Sequence, residues 1–403
     1  MIDISCYHAD TSLQKKTLRT IYERRQISRA ELTEILGLSL TSITKHVNAL
    51  LADGIIIECG TLGSTGGRKT NLLGINPEYA YILGVDIGGF AAKLGVVRMD
   101  GSLVEDWFIR NPQECMPVGN LGLDGLEEKI SQIFNRYDKN RFMAVCVGIS
   151  GLVSHETGKV IFCPNLAGWN DVNLAERLQN AFGLPVFVDT SARCMALAEQ
   201  LYGAGAGVAD QILVSLGNDG IASALILNSR IYRGGSGFAG EIGHVMSSST
   251  GARCTCGNYD CLELSATLMM IRSIIAGEVR KLQAYSPLLQ LLPADWNYAA
   301  LTPEIIRQAL EAGDKLCFET VMTAGRNAGI ALSNLLNVIN PKLVILSGSV
   351  VEFFPSILGT IRNTIRERVL VPIDQNLDIR PAKLDWRGAV IGSAVMAHEE
   401  FFK

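Results

Sequence analysis

Apolar positions in the first quarter of the chain keep helical spacing and then change to strand spacing. Leu13 to Arg25 is charge-rich with apolar residues at 18 and 21, which predicts a helix. In the next stretch Ser28 stands three residues before Glu31, the arrangement of a capping box. Leu32, Ile35 and Leu36 follow as an apolar face, and Gly37 ends the helix. Ser39 or Thr41 opens a third helix with Ile43, Val47, Leu50 and Leu51 facing inward. The pattern then turns at Asp53-Gly54, runs as a strand over Ile55–Glu58, loops through Ser64–Thr70 and returns at Asn71-Leu72-Leu73. Three helices, a tight turn and a basic-tipped hairpin predict a winged helix-turn-helix over residues 1–78, linker included. Its DNA-facing candidates are Ser28, Arg29, Thr41, Ser42, Thr44 and Lys45, with Arg68 and Lys69 on the wing tip. Small hydroxyls and cations suit base edges and phosphates. A three-helix protein-interaction module with a solvated turn is the plainer reading of the same segment.

Beyond Asn76-Pro77-Glu78 the apolar runs become strands. Tyr81–Val85 leads into Asp86-Ile87-Gly88-Gly89, followed by strands at 91–97 and 103–109, a helix at 121–137 and a buried strand at 144–150. A helix near 172–182, a strand at 186–189 and an Ala-rich helix at 191–202 come next. Strands at 211–216 and 221–227 flank Gly217–Gly220. Four or five helical segments reach Val338, and a last apolar strand starts at Leu343. This order predicts two related α/β halves, each of the actin-like ATPase (ribonuclease H-like) kind, with a cleft between them. The smaller lobe is expected over 79–190, completed by a helix at 388–403, and the larger over 191–387.

Charge sharpens this reading. The 403 residues carry a net charge of −4, yet residues 1–75 hold nine Lys/Arg against seven Asp/Glu. A slightly basic head on an acidic body agrees with a nucleic-acid-facing amino terminus. No basic-then-apolar leader opens the chain, and no apolar run reaches the ~18 residues of a membrane helix. A cytoplasmic protein with reduced thiols is therefore expected.

Chemistry concentrates in Gly240-Glu241-Ile242-Gly243-His244 and Cys254-Thr255-Cys256-Gly257-Asn258-Tyr259-Asp260-Cys261-Leu262-Glu263. His244, Cys254, Cys256 and Cys261 are four soft or borderline donors, the number a closed tetrahedral zinc site needs. Three unrelated buried cysteines would be the alternative, but the segment is Gly-rich and poor in other apolar residues. The seven other cysteines are expected in the core.

These residues together resemble the ROK family (repressors, open reading frames and sugar kinases), specifically its repressor branch with an amino-terminal winged helix. Gly240–Glu263 carries the most specific part of the likeness. Ser28–Leu32, Gly37-Leu38-Ser39, Val47-Asn48-x-Leu50, Gly66-Gly67-Arg68, Pro164-Asn165-Leu166, Gly168-Trp169, Asn340-Pro341 and Gly392-Ser393-Ala394 add to it. The resemblance implies one structural zinc per chain on His244 and the three cysteines. It implies a sugar or sugar-phosphate effector near Glu241, His244, Glu263, Asn165, Thr190 and Ser191. It further implies operator DNA as partner, read as a palindrome by a homodimer or tetramer.

The chain departs from the family's kinases at the residues that perform phosphoryl transfer. Their Glu-Asn-Asp-Ala-Asn run is Asp189-Thr190-Ser191-Ala192-Arg193 here, so the general-base position is Ser191. A serine hydroxyl lacks the basicity for that role. Phe90 follows Gly88-Gly89 where the kinases have Thr, and their second Gly-rich loop falls on Asn218–Ala224. Their late Gly-rich turn is Ser347-Gly348-Ser349. The expectation is a carbohydrate-gene repressor with an inactive kinase body and no ATP. The alternatives are a sugar kinase with a DNA-binding head, and a regulator answering to a protein partner.

Overall fold

The computed structural model describes residues 12–62, 70–89, 91–110, 122–279 and 286–401. The chain forms two compact units, one of 1–194 with 387–403 and the other of 195–386.

The head opens with α1 (Ser12–Arg24), β1 (Ile27–Ser28), α2 (Arg29–Leu36) and α3 (Leu40–Ala52), followed by β2 (Ile56–Leu62) and β3 (Thr70–Ile75). The expected capping box is present. Ser28 Oγ accepts the Glu31 amide at 3.2 Å, and the Glu31 carboxylate accepts the Ser28 amide at 2.8 Å. Such a cap is worth about 1 kcal/mol. Gly37 ends α2 in the left-handed region, and Ser39 caps α3, so the two helices bend by 119°. Leu18, Ile21, Leu32, Ile43, Val47 and Leu50 make the core. Ile35, expected inside, is 47% exposed, because Leu32 alone of that face meets the small core. β3 pairs antiparallel with both β1 and β2, which makes the wing.

The rest of the first unit is a five-stranded sheet with α4, α5 and the final helix. Its elements are β4 (Tyr81–Ile87), β5 (Ala91–Arg98), β6 (Leu103–Arg110), α4 (Leu123–Arg136) and β7 (Phe142–Ile149). After these come β8 (Leu152–Ser154), β9 (Lys159–Phe162), β10 (Val172–Asn173), α5 (Leu174–Phe182) and β11 (Val186–Thr190). α6 (Ser191–Tyr202) then leads out of the unit. The sheet order is β11-β7-β4-β5-β6; β4, β5 and β6 form an antiparallel meander, while β4, β7 and β11 run parallel. The small sheet β10-β9-β8 has no counterpart in the sequence reading, since its strands are only two to four residues long.

The second unit repeats this topology with β12 (Gln211–Leu216), β13 (Ile221–Leu227), β14 (Arg230–Tyr232), β15 (Leu343–Ser347) and β16 (Asp378–Pro381). The order is β14-β13-β12-β15-β16, again an antiparallel meander followed by parallel strands. Between β14 and β15 lie α7 (Glu263–Ala266), α8 (Leu268–Val279), α9 (Pro287–Leu291), α10 (Pro303–Glu311) and α11 (Lys315–Ile339). α12 (Ser349–Phe353), α13 (Ile357–Arg366) and α14 (Val371–Asp374) precede β16. Two sheets of one topology in one chain are what the actin-like ATPase fold requires.

α15 (Arg387–Phe401) returns to the first unit and packs on β4, β5 and β7. It is buried on most sides, as a helix of small and apolar residues should be. Val390 presses so closely on β4 and β5 that Gly84 and Gly95 have no room for a side chain. No single described helix is long and apolar enough to cross a membrane.

Candidate functional site

The Gly240–Glu263 stretch folds as a loop pinned against β13. Gly240 and Gly243 lie so close to this strand that a Cβ on either would stand 2.4 Å from the Ser223 or Ile221 carbonyl oxygen. Single bridges between Met246 and Cys261 and between Arg253 and Tyr259 then close a knuckle. Asp260 ties its base. Its carboxylate accepts from the Thr250 hydroxyl and amide, the Gly251 amide and the Ser248 hydroxyl, and these bonds hold its pKa down to about 2.

Inside the knuckle the donor atoms of His244, Cys254, Cys256 and Cys261 all lie within 4.8 Å of one another. Cys256 and Cys261 Sγ are 3.7 Å apart, and Cys254 Sγ is 3.8 Å from His244 Nδ1. A tetrahedral ion with bonds of ~2.3 Å to sulfur and ~2.0 Å to nitrogen spaces its ligands by about 3.5–3.8 Å. The residues fit zinc in number, softness and spacing. Burial pushes the Cys254 thiol up and that of Cys261 up to about 12, so an arriving ion must displace protons. Cys256 is also desolvated, yet hydrogen bonds from the Asn258 amide and from its two sulfur neighbours bring it down. Glu263 touches the same cluster: its Oε1 accepts from Cys254 Sγ at 3.0 Å and lies 3.6 Å from His244 Nδ1. Glu241 is exposed at the mouth of the loop. Among the remaining described cysteines, Cys59 is exposed on β2, so the expectation of a core position fails there.

In the first unit, Thr190 ends β11 and Ser191 begins α6, both half-buried; Asn165 is half-buried in the loop after β9. Ser191 Oγ is buried and has no hydrogen-bond partner among the described residues. Beside it Asp86, from the Asp-x-Gly-Gly turn, is ion-paired with Lys93 at 2.8 Å. The sequence reading missed Lys93; its signal was a cation on an otherwise apolar strand, seven residues after an acidic one. In the second unit the turn at Gly217–Gly220 closes by a backbone hydrogen bond, and Ile221–Ala224 belong to β13 rather than to a loop.

On the head, Thr41 and Lys45 are exposed and Ser42 and Thr44 half-exposed in the first two turns of α3. Ser28 is different: it is 3% exposed and its hydroxyl is spent in the cap, so it builds the motif rather than offering a contact. Arg29 pairs with Glu58 on β2 at 3.2 Å. Arg68 and Lys69 lie outside the described residues. Leu40, 59% exposed at the start of α3, adds an apolar side chain to the same surface.

A winged helix-turn-helix joined to a duplicated α/β body with a knuckle of one histidine and three cysteines defines a DNA-binding transcriptional regulator on a sugar-kinase-type scaffold. Residues 10–57 match a winged helix-turn-helix DNA-binding family, and residues 82–400 match the ROK family. The chain belongs to the ROK family. It is 28% identical over 389 residues to a xylose repressor of Caldicellulosiruptor bescii, covering 94% of this chain and 93% of that one. It is also 28% identical over 374 residues to the DNA-binding transcriptional dual regulator NagC of Escherichia coli, covering 92% and 89%. Among solved structures, a ROK family transcriptional regulator described as a homolog of the E. coli MLC protein superposes with a TM-score of 0.79. That pair shares 25% identity and covers 97% of each chain.

Proposed function

We propose that this chain represses carbohydrate uptake or metabolism genes, with a catalytically inactive kinase body that senses a sugar or sugar phosphate. The observation that carries this is the pairing of an intact DNA-reading helix with a dismantled transfer site. Thr41, Ser42, Thr44 and Lys45 stand on the accessible start of α3, with Arg29, Arg68 and Lys69 as phosphate contacts. The kinase-base position holds a serine, and Asp86 is neutralised by Lys93. One zinc on His244, Cys254, Cys256 and Cys261 shapes the loop that carries Glu241 and Glu263, whose carboxylates accept from sugar hydroxyls. Asn165, Thr190 and Ser191 supply further polar contacts. The active species is a homodimer or a tetramer on a palindromic operator.

Capture of genomic fragments by the full-length chain tests the reading. Inverted repeats beside carbohydrate genes are the expected yield; recovery without sequence preference overturns it. Lys45→Ala should weaken operator binding about tenfold and reduce the salt slope by roughly one, as loss of a single phosphate contact does. An unchanged affinity and slope would remove Lys45 from the interface.

The dismantled transfer site yields a second expectation. Ser191→Asp should not restore sugar-dependent ATP hydrolysis, because Lys93 still occupies Asp86 and the Asn218–Ala224 segment still lacks a glycine loop. Turnover above background in that variant would mean that the body is a kinase lacking only its base.

A further inference from the structure

The DNA-binding head and the strand end that carries Thr190 meet the same turn of α15. On the head side, the Tyr22 ring lies 4.2 Å from the His398 ring, and Arg19 reaches Glu399 at 3.9 Å. Both Tyr22 and His398 are buried, so the stacking contact seats the head; the partly exposed ion pair is weaker, but reversing the charge of Arg19 would set two carboxylates against each other at that seat. On the strand side, Phe401 packs edge-on against Phe187 of β11 at 5.5 Å. Glu400 Oε1 lies 2.9 Å from His155 Nε2, and His155 Nδ1 lies 3.3 Å from Asp189 Oδ2. Asp189 in turn accepts from Arg193 at 2.9 Å and from the Thr190 amide at 2.8 Å. Asp189 and Arg193 are almost fully buried, where electrostatic contacts are poorly screened and strongly dependent on geometry.

We propose that His155 is a positioning residue that ties the Asp189–Ser191 strand end to the seating of the DNA-binding head, acting through Glu400 and the last turn of α15. This deepens the proposed function and rests on its reading of Thr190 and Ser191 as effector contacts. An imidazole has polar atoms on two sides and little freedom between them. It therefore links two carboxylates on separate elements, Glu400 through the close Nε2 contact and Asp189 through an ion-pair contact at Nδ1. A ligand that shifts Thr190 or Ser191 shifts Asp189, their chain neighbour, and changes what His155 offers to Glu400. Residues 398 to 401 share one helical turn, so a displacement of Glu400 is passed to His398 and Glu399 beneath the head. The effector then alters DNA binding only through its preference for one arrangement of this chain of contacts.

The test needs no effector. Amide exchange is measured on the full-length chain for α1 (residues 17–24) and for residues 189–193, in wild type, His155→Ala, Glu400→Gln and the double variant. Glu400→Gln keeps size and shape, so it reports on the contact even where His155→Ala folds poorly. Each single change should speed exchange in α1 at least about threefold, and the double no more than the larger single. Arg19→Glu, on the head, should change exchange at 189–193 by a comparable factor, since coupling is reciprocal. A merely structural His155 would not transmit a head-side change back to Asp189. Unaltered α1 exchange in Glu400→Gln, additive effects, or no response of 189–193 to Arg19→Glu each overturns the proposal. Genomic capture without sequence preference instead sinks the repressor reading and leaves the exchange result standing.

Discussion

Cys261→Ser should cost the protein its zinc and the order of the whole 244–263 loop. Cys261 is almost fully buried, stands 3.7 Å from Cys256, and anchors the bridge to Met246. The knuckle has little apolar core of its own, so ligation of a metal by its four donors would supply most of its folding free energy. A loss on the order of 3–5 kcal/mol corresponds to roughly 10 °C in the unfolding midpoint of a unit this size. The effect should reach the effector response. In the proposed function Glu263 is an effector contact, and a Cys254 thiol left without metal would donate to that carboxylate and compete with a sugar hydroxyl. Loading should also weaken on acidification, because burial keeps protons on Cys254 and Cys261 and zinc must expel them. Native mass spectrometry, thermal unfolding and zinc titration at several pH values check these points. A metal-free variant with wild-type stability would show that the four donors do not hold a structural ion.

Gly392→Ala should be nearly as damaging, by steric exclusion alone. A Cβ at Gly392 in α15 would stand 1.6 Å from the Cys194 carbonyl oxygen, a backbone atom of α6 that cannot swing aside. Either α15 lifts from β4, β5 and β7 or the start of α6 unwinds. Overpacking of this kind costs about 3 kcal/mol or more. Gly359→Ala in α13 is the control, since nothing lies within 4 Å of its added methyl. Removing a helical glycine there should stabilise by ~0.5–1 kcal/mol. Denaturant unfolding of the two variants should move in opposite directions; equal midpoints would contradict the packing.

Legibility in the sequence depended on whether a signal was local. The Ser28–Glu31 capping box, the Gly37 turn and the Cys-x-Cys-Gly knuckle each specify their geometry within a few residues, and all three are present. Long periodic helices such as α4 were legible for the same reason. Strands of two to four residues were not, because β8, β9 and β10 exist only through their partners. Ile35 misled because its position on the helix matched a face that the small head core does not reach. The candidate site divided along the same line. The gathering of His244, Cys254, Cys256 and Cys261 is legible in their spacing, whereas Lys93 on Asp86 and His155 on Glu400 depend on contacts that no spacing rule predicts. Ser28 was assigned a contact role when its hydroxyl was already committed to the cap.

The first described helix and the last one touch, through Tyr22 and His398 and through Arg19 and Glu399. Between the two parts of the first unit the chain runs out through the whole of Met195–Trp386 before returning. On a ribosome adding 5–20 residues each second, those roughly 190 residues take on the order of 10–40 s. For that interval a finished DNA-binding head and most of its sheet wait without the helix that covers β4, β5 and β7. A truncated product therefore carries a complete recognition helix yet no seat for it. Because α15 follows Met195–Trp386 in the chain, the head takes its seat only after the whole of the second unit has been synthesised.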